Sequence, residues 1–225
     1  MQDRARSRAR QMAQEFSQRG DKTGWFEPFY VEANGNEQAI HWADMISNPG
    51  LVEWLDRQQI DGHGHKALVV GCGLGDDAEE LARRGFDVVA FDISPTAISW
   101  CQQRFPDSPV HYVAMDALNV PSSWQHSFDF IFEAYTVQVL PADLHPRLAS
   151  SLANCLADGG RLLVVCRGRS SDDHVAGITW SLTRENLDVF TAAGLRQIQF
   201  EDYLDHEVPP SRRFRVQYQR ELPTN

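Results

Sequence analysis

Three closely spaced glycines follow a short apolar run about a third of the way along the chain. The apolar residues occupy positions 67–70, and the glycines are Gly71, Gly73 and Gly75. Four consecutive apolar residues are typical of a parallel strand that is buried on both faces. The glycines allow the backbone to turn sharply and to approach a ligand without an intervening Cβ. The segment therefore predicts a ligand-binding turn between a strand and a helix.

The two acids after the glycines, Asp76 and Asp77, distinguish between cofactors. They stand at the predicted start of a helix, where a carboxylate can cap the backbone and interact with the helix dipole. A dinucleotide site has the spacing G-x-G-x-x-G and places its pyrophosphate at this helix end. Here Asp76 stands where the third glycine belongs, and its charge would repel a pyrophosphate. A cationic cofactor without a phosphate, such as S-adenosylmethionine (SAM), is favoured instead.

A third acid, Asp92, ends the next predicted strand, which covers residues 87–92. A carboxylate about 20 residues after a glycine turn is where ribose hydroxyl groups donate hydrogen bonds. Ser94 and Pro95 follow, and they predict the N-cap and the first residue of a helix. Asp92 is therefore the expected ribose ligand.

Residues 70–75 and 89–94 resemble the first two motifs of class I SAM-dependent methyltransferases. The resemblance covers roughly residues 66–220. It implies an α/β, Rossmann-like class I methyltransferase fold, in which helices flank a seven-stranded, mainly parallel sheet with an antiparallel last strand. It also implies that SAM is bound at these motifs, by Gly71, Cys72, Gly73, Gly75, Asp92 and Ile93.

Two more acids follow the third and fourth predicted strands. The resemblance implies that Asp116 binds the adenine amino group and that the backbone N–H of Ala117 binds a ring nitrogen; a turn cap is the alternative for Asp116. Ligands of doubly wound sheets bind beyond the carboxyl ends of the strands, so Glu133 and Tyr135 are expected to point toward the transferred methyl group. Glu133 is a candidate general base, a ligand of a cationic group or a structural acid.

The residues after the fourth strand disfavour one substrate class. Methyltransferases that act on planar amino groups usually carry a D/N-P-P-Y/F element here, whereas this chain has Glu133, Ala134, Tyr135 and Thr136. Methylation of DNA bases or of glutamine is therefore not expected.

Aromatic residues are concentrated before the nucleotide-binding core, in residues 21–65. This segment is similar to the N-terminal region of the thiopurine and thiol/halide methyltransferase group, where a Trp-rich stretch closes over the site. The resemblance implies a lid in which Trp25 and Tyr30 face the substrate and Trp42 faces the cofactor, although the same rings could simply pack the extension onto the sheet. Residues 1–65 are thus predicted to form an N-terminal extension and lid, and residues 66–225 the SAM-binding core of a one-domain protein.

Two further elements contain arginines. Arg167 and Arg169 follow the fifth predicted strand, where they could clamp a substrate carboxylate or, as we favour, pair with Asp172 and Asp173. The first ten residues contain Arg4, Arg6, Arg8 and Arg10. We interpret them as part of a solvated helix that frays at its end, with a basic arm for an acidic partner as the alternative.

The remaining elements complete the expected sheet. The pattern predicts a helix over 141–156, a turn at 158–160 and a fifth strand over 161–166. A helix over 184–193 and two last strands, 195–203 and 214–220, follow. The connection between those two strands is long for a hairpin, so it either reaches the site or only turns.

Composition excludes several classes of protein. With 31 Asp and Glu against 21 Lys and Arg, the formal net charge is −10, which disfavours bulk binding to nucleic acid. We find no apolar stretch of membrane-spanning length and no signal-peptide pattern. The four cysteines form no C-x-x-C pair, so no metal site is expected and a reducing compartment is favoured. We expect a cytoplasmic enzyme, a monomer or homodimer, without nucleic-acid or membrane partners.

Methyl transfer from SAM mainly requires alignment of the reacting groups and exclusion of water. A thiol acceptor needs no strong base, whereas an alcohol or phenol would need one, such as His41, Glu133 or Tyr30. The sequence favours a small-molecule acceptor, with a slight preference for a thiol or other soft nucleophile. The alternatives are an O- or N-methyltransferase of a small metabolite, a non-catalytic SAM-binding sensor, and an NAD(P) enzyme, against which Asp76 argues.

Overall fold

The computed structural model describes residues 2–173 and 180–222 and contains one mixed sheet of seven strands, in the order β3-β2-β1-β4-β5-β7-β6. The strands are β1 (Lys66–Val70), β2 (Asp87–Asp92), β3 (His111–Ala114), β4 (Phe128–Ala134), β5 (Leu156–Arg167), β6 (Leu195–Leu204) and β7 (Arg212–Arg220). The described α-helices are α1 (Gln2–Gln18), α2 (Phe26–Ala33), α3 (Pro49–Arg57), α4 (Asp76–Arg83), α5 (Pro95–Arg104), α6 (Thr136–Val139), α7 (His145–Cys155) and α8 (Asp188–Ala192).

The pairing pattern confirms the predicted fold. Strands β1 to β5 pair in parallel, and β7 runs antiparallel between β5 and β6. The strand order reverses between β1 and β4, because β2 and β3 lie on one side of β1 and the later strands lie on the other. Open α/β sheets bind their ligands outside the carboxyl ends of the strands at such a reversal.

The central strands are apolar throughout because both faces of the sheet are covered. Leu68 and Val70 of β1 pack into one hydrophobic cluster, and Ala67 and Val69 pack into a second cluster on the opposite face. Helices α7 and α8 contribute to the first cluster, and α3, α4 and α5 contribute to the second. This burial on two sides fixes where the ends of β1, β2 and β4 lie.

A third cluster joins the N-terminal extension to the core. Trp25 and Tyr30 are each 1% exposed and pack with Leu74 of the glycine turn and Ala97 of α5. The carboxylate of Glu27 also accepts hydrogen bonds from the Ser94 hydroxyl and from the backbone and hydroxyl of Thr96. Helix α2 of the extension is therefore held beside Asp92.

Three predicted boundaries were wrong. The helix expected over 141–156 begins at His145, after a 3₁₀ turn at Ala142–Leu144, and the helix expected over 184–193 is a 3₁₀ turn at Glu185–Leu187 followed by α8. The turn expected at 158–160 lies inside β5. That strand starts at Leu156, and its register with β4 shifts between Phe128 and Phe130. The glycines lie within this irregularity, so the strand continues past them. No α-helix in the described part of the chain is long and apolar enough to cross a membrane.

Candidate active site

A cavity of about 1010 Å³ opens at the carboxyl ends of the strands, next to the reversal of strand order. It brings together most of the residues that were selected from the sequence. Those that line it are Trp25, Tyr30, His41, Trp42, Gly71, Cys72, Gly73, Asp92, Ile93, Asp116, Ala117, Tyr135 and Arg167. Gly75, Glu133 and Arg169 are not among its lining residues.

The glycine turn follows β1, and side-chain packing fixes its shape. The φ angle is +60° at Gly71 and +94° at Gly75, values that L residues rarely adopt. A Cβ at Gly71 would lie 2.3 Å from the Thr136 hydroxyl oxygen, and one at Gly75 would lie 2.6 Å from the Tyr112 hydroxyl oxygen. Gly75 thus allows Tyr112 to pack against the turn. Gly71 allows the close approach of Thr136 and also lines the cavity.

Asp92 ends β2 beside this turn. One carboxylate oxygen accepts a hydrogen bond from the Gly73 N–H at 3.0 Å, and the other accepts one from the Ser94 N–H at 2.9 Å. Burial raises the pKa of Asp92 to about 6, although these backbone hydrogen bonds oppose the shift. Each oxygen keeps a lone pair, so a carboxylate fixed in this way can accept hydrogen bonds from ligand hydroxyl groups.

Asp76 and Asp77 do not cap helix α4 as expected, because the N-cap position is Gly75. Asp76 instead forms a salt bridge with Arg104 at 2.9 Å, and Asp77 accepts a hydrogen bond from the Asn48 N–H at 2.6 Å. Burial raises the pKa of Asp77 to about 7. Both acids line the cavity at the helix end. A pyrophosphate would meet carboxylates there, whereas a cationic cofactor without phosphate fits.

Asp116 lies after β3 and lines the cavity as predicted. Its carboxylate also accepts hydrogen bonds from the Leu118 N–H at 2.9 Å and the Asn119 side-chain amide at 2.6 Å. The turn cap that was the alternative is therefore present. Adenine binding by Asp116 and Ala117 stays a prediction.

The first predicted base, Tyr30, is buried within the extension. The Trp42 indole N–H donates to its hydroxyl oxygen at 2.9 Å, and burial raises the pKa of Tyr30 well above its ordinary value. The phenol therefore keeps its proton at neutral pH. It can donate a hydrogen bond in the cavity but cannot act there as a base.

The second predicted base, His41, also lines the cavity. Its ring stacks on Trp180 with a centroid distance of 5.7 Å, and its buried Nδ1 has no hydrogen-bond partner among the described residues. Burial chiefly, and then the charges of nearby arginines, lower the pKa of His41 to about 4. The ring is therefore neutral near pH 7 and is a weak base.

Glu133 is fully buried in β4 and does not reach the cavity. One carboxylate oxygen accepts hydrogen bonds from the N–H groups of Thr136, at 2.5 Å, and Val137, at 2.8 Å. These contacts hold the first turn of α6 and favour the structural interpretation, the third of the three, although the other oxygen, Oε2, is buried without a hydrogen-bond partner among the described residues. Tyr135, which precedes that turn, does line the cavity.

The ion pairs favoured for Arg167 and Arg169 do not form in the described structure. Arg169 donates to the carbonyl oxygens of Ser181 and Ser170, which hold it outside the cavity. Arg167 lines the cavity, and its salt bridge is with Glu207 at 4.0 Å. The proposed clamp therefore retains only one of its two arginines.

Several lining residues escaped the sequence analysis. Asp205 to Val208, in the connection between β6 and β7, line the cavity, so that long connection does reach the site. Other missed lining residues include Arg6, Arg10, Asp44 and Trp180. Asp44 lies two residues after Trp42 in the aromatic segment, which was a usable signal. Nothing in the local sequence indicates that Trp180 meets His41.

Comparisons with known proteins also indicate a methyltransferase. Residues 67–160 match a methyltransferase domain family. The chain is 34% identical over 114 residues to the biotin biosynthesis bifunctional protein BioHC of Cellvibrio japonicus, a match that covers 51% of this chain and 20% of that protein. It is 25% identical over 177 residues to thiocyanate methyltransferase 1 of Arabidopsis thaliana, covering 77% and 75%.

The fold is shared with solved methyltransferase structures. The N-methyltransferase NodS of Bradyrhizobium japonicum, solved with S-adenosylhomocysteine (SAH), has a TM-score of 0.65 at 19% identity, covering 86% of this chain and 97% of that one. Together with the domain match and the geometry of the turn, this shows that the chain has the class I methyltransferase fold and contains a SAM-dependent methyltransferase domain. Its cofactor is SAM. Among the described residues, no cluster of three or more His, Cys, Asp or Glu side chains could hold a metal ion.

Proposed function

We propose that the enzyme methylates a thiol or another soft nucleophile of a small acceptor. The observation that carries the proposal is the lack of a strong base among the predicted catalytic residues. Tyr30 keeps its proton, Glu133 does not reach the cavity, and the pKa of His41 is lowered to about 4. An acceptor that ionises near neutral pH needs no such base, and a thiol does so with a modest pKa shift.

The chain's own residues would bind, orient and shield the reactants. Bound SAM supplies an electrophilic methyl group on a sulfonium sulfur. Asp92 would accept the ribose hydroxyl groups, and Asp116 with Ala117 would hold the adenine. The extension of residues 1–65 would serve as the lid, with Trp25, Tyr30 and Trp42 excluding water.

One relative supports this preference. The name of the Arabidopsis protein gives thiocyanate, an ion with a soft sulfur nucleophile, as its acceptor. The match covers most of both chains. NodS is named an N-methyltransferase, so the shared fold alone does not select sulfur.

Methylation of oxygen is the second candidate, and Asp44 favours it. This carboxylate lines the cavity, and within the described residues it has no hydrogen bond or salt bridge. Partial burial and then Glu207 raise its pKa, which makes it a better base than an ordinary aspartate. An alcohol or phenol near Asp44 would therefore have a group to receive its proton.

Calorimetry and a matched acceptor pair test the proposal. We expect SAM and SAH each to bind the purified protein with micromolar dissociation constants, and SAH to be released with benzenethiol but not with phenol. SAH release with phenol that disappears in Asp44→Asn would establish the second candidate instead. Binding of both ligands with no release for any thiol, alcohol or amine would indicate a sensor.

A further inference from the structure

Two arginines of helix α1 line the cavity. Arg6 and Arg10 are four residues apart, so they share one face of the helix, and both line the cavity. Arg8 lies on another face and forms a salt bridge with Glu32 at 2.7 Å. Arg4 is exposed and is not a lining residue. The arginine-rich start of the chain is therefore divided into two that face the cavity and two that do not.

Together with Arg167 of β5, these two residues form what we call the arginine cluster, and its charge is poorly compensated. Among the described residues, Arg6 and Arg10 form no salt bridge, and Arg167 meets Glu207 only at 4.0 Å. The neighbouring Arg213 differs, since Asp205 and Glu207 each contact it at 2.6 Å. Arg6 and Arg10 thus carry charges without a salt-bridge partner in the described structure at this cavity, Arg6 half-buried and Arg10 exposed, in a chain with a formal net charge of −10.

Flat rings lie beside the cluster. The Arg10 guanidinium lies 5.8 Å from the centroid of the Trp180 ring, and that ring stacks with His41 and, on a parallel plane at 6.2 Å, with Trp25. The charges of Arg6, Arg167 and Arg10 contribute to the lowered pKa of His41, after the larger effect of burial. The three arginines therefore act electrostatically on one imidazole, although they come from two distant parts of the chain.

We propose that the arginine cluster binds an oxyanion of the methyl acceptor, so that the substrate is a planar, apolar molecule with a carboxylate or similar group away from its nucleophile. This proposal rests on the proposed function for the existence of a small acceptor. Guanidinium groups suit it because they bind carboxylates in a bidentate manner. The half-buried ring of Trp180 lines the cavity and provides the surface for the planar body of the acceptor, while the buried Trp25 packs behind it. Neutral His41 leaves the arginines as the only full positive charges among these groups.

The test compares charged and neutral probes in binding and in turnover. Benzoate and benzamide are titrated into the SAH complex, and SAH release is measured with 4-mercaptobenzoate and its methyl ester. The proposal predicts that each acid is preferred at least five-fold over its neutral partner, with the preference declining as salt is added. Arg6→Gln and Arg10→Gln are each expected to remove most of that preference by raising KM while kcat and the affinity for SAH stay unchanged.

Arg4→Gln is the matched control, because it removes the same charge from the same helix outside the cavity. Equal effects of Arg4→Gln and Arg6→Gln would overturn the proposal, and so would benzamide binding as tightly as benzoate. These outcomes differ from failure of the proposed function, in which no thiol releases SAH. The calorimetric comparison of benzoate with benzamide remains decisive in that case, because it requires no turnover.

Discussion

The two ends of the cavity are built in different ways. The end that we propose binds the cofactor consists of a glycine turn and of acids at the ends of β2 and β3, all within residues 71–117. The end that we propose binds the acceptor takes Arg6 and Arg10 from α1, His41 from the extension and Arg167 from β5. One end is thus local in sequence, and the other is assembled from segments that lie far apart along the chain.

This difference predicts two kinds of mutational effect. Contacts at the cofactor end are made by the backbone and by short, buried side chains, so changes there should alter SAH binding or folding. Contacts at the acceptor end are made by long arginines and stacked rings, so changes there should alter acceptor KM. A substitution at one end that changes the property assigned to the other end would show that the two ends are coupled.

The largest expected effect is at Gly71. Gly71→Ala places a Cβ 2.3 Å from the Thr136 hydroxyl oxygen, and we expect it to lower the free energy of unfolding by about 3 kcal/mol. SAH affinity should fall at least ten-fold. The double variant Gly71→Ala/Thr136→Ala removes the clashing hydroxyl group and should recover part of both losses in thermal unfolding and calorimetry. No recovery would mean that the clash is not the cause.

Asp92→Ala is expected to weaken SAH binding by about 2 kcal/mol, because a buried acceptor of ligand hydrogen bonds is lost. Asp92 also holds the Gly73 N–H, so Asp92→Asn serves as the control that keeps one acceptor oxygen. Calorimetry with SAH checks the prediction, and acceptor KM measured at saturating SAM should stay constant. An unchanged dissociation constant would show that Asp92 is not the ribose ligand.

Glu133→Gln tests whether this acid is structural. The pKa of Glu133 is raised to about 7 in the folded protein, so the folded state holds a proton that the unfolded state loses above pH 4.5. Stability from this group is therefore complete below pH 4.5 and falls by about 2 kcal/mol as the pH rises to 7. The variant should show a shallower decline in urea unfolding between pH 4.5 and 7, without losing methyl transfer. Asp77 and Asp92, whose pKa values are also raised, keep part of the slope in both proteins.

Trp42→Phe should have the smallest effect, about 1 kcal/mol of unfolding free energy, since it removes the hydrogen bond to Tyr30 and keeps an aromatic ring against Phe29. If the extension acts as a lid, SAH should also dissociate faster, which stopped-flow measurements can detect. A less stable variant with a normal dissociation rate would support a packing role alone.

Much of the cofactor end could be predicted because its information is local. The spacing of Gly71, Gly73 and Gly75, the acid at Asp92 and the pattern of buried strands follow from backbone geometry that any short segment must obey. Local reasoning wrongly predicted a capping role for Asp76 and left three roles open for Glu133. Asp76 pairs with Arg104, 28 positions away, and Glu133 accepts hydrogen bonds from the first turn of α6.

The sequence by itself determined the α/β fold, the class of cofactor and the place of the glycine turn, because these depend on hydrophobic periodicity and on residues close together in the chain. Only the tertiary structure decided which charged groups share a cavity. Arg6 and Arg167 are 161 positions apart, and they line one cavity with His41 because the extension packs onto the core. Whether an arginine is neutralised by an acid or left to bind a ligand depends on that packing.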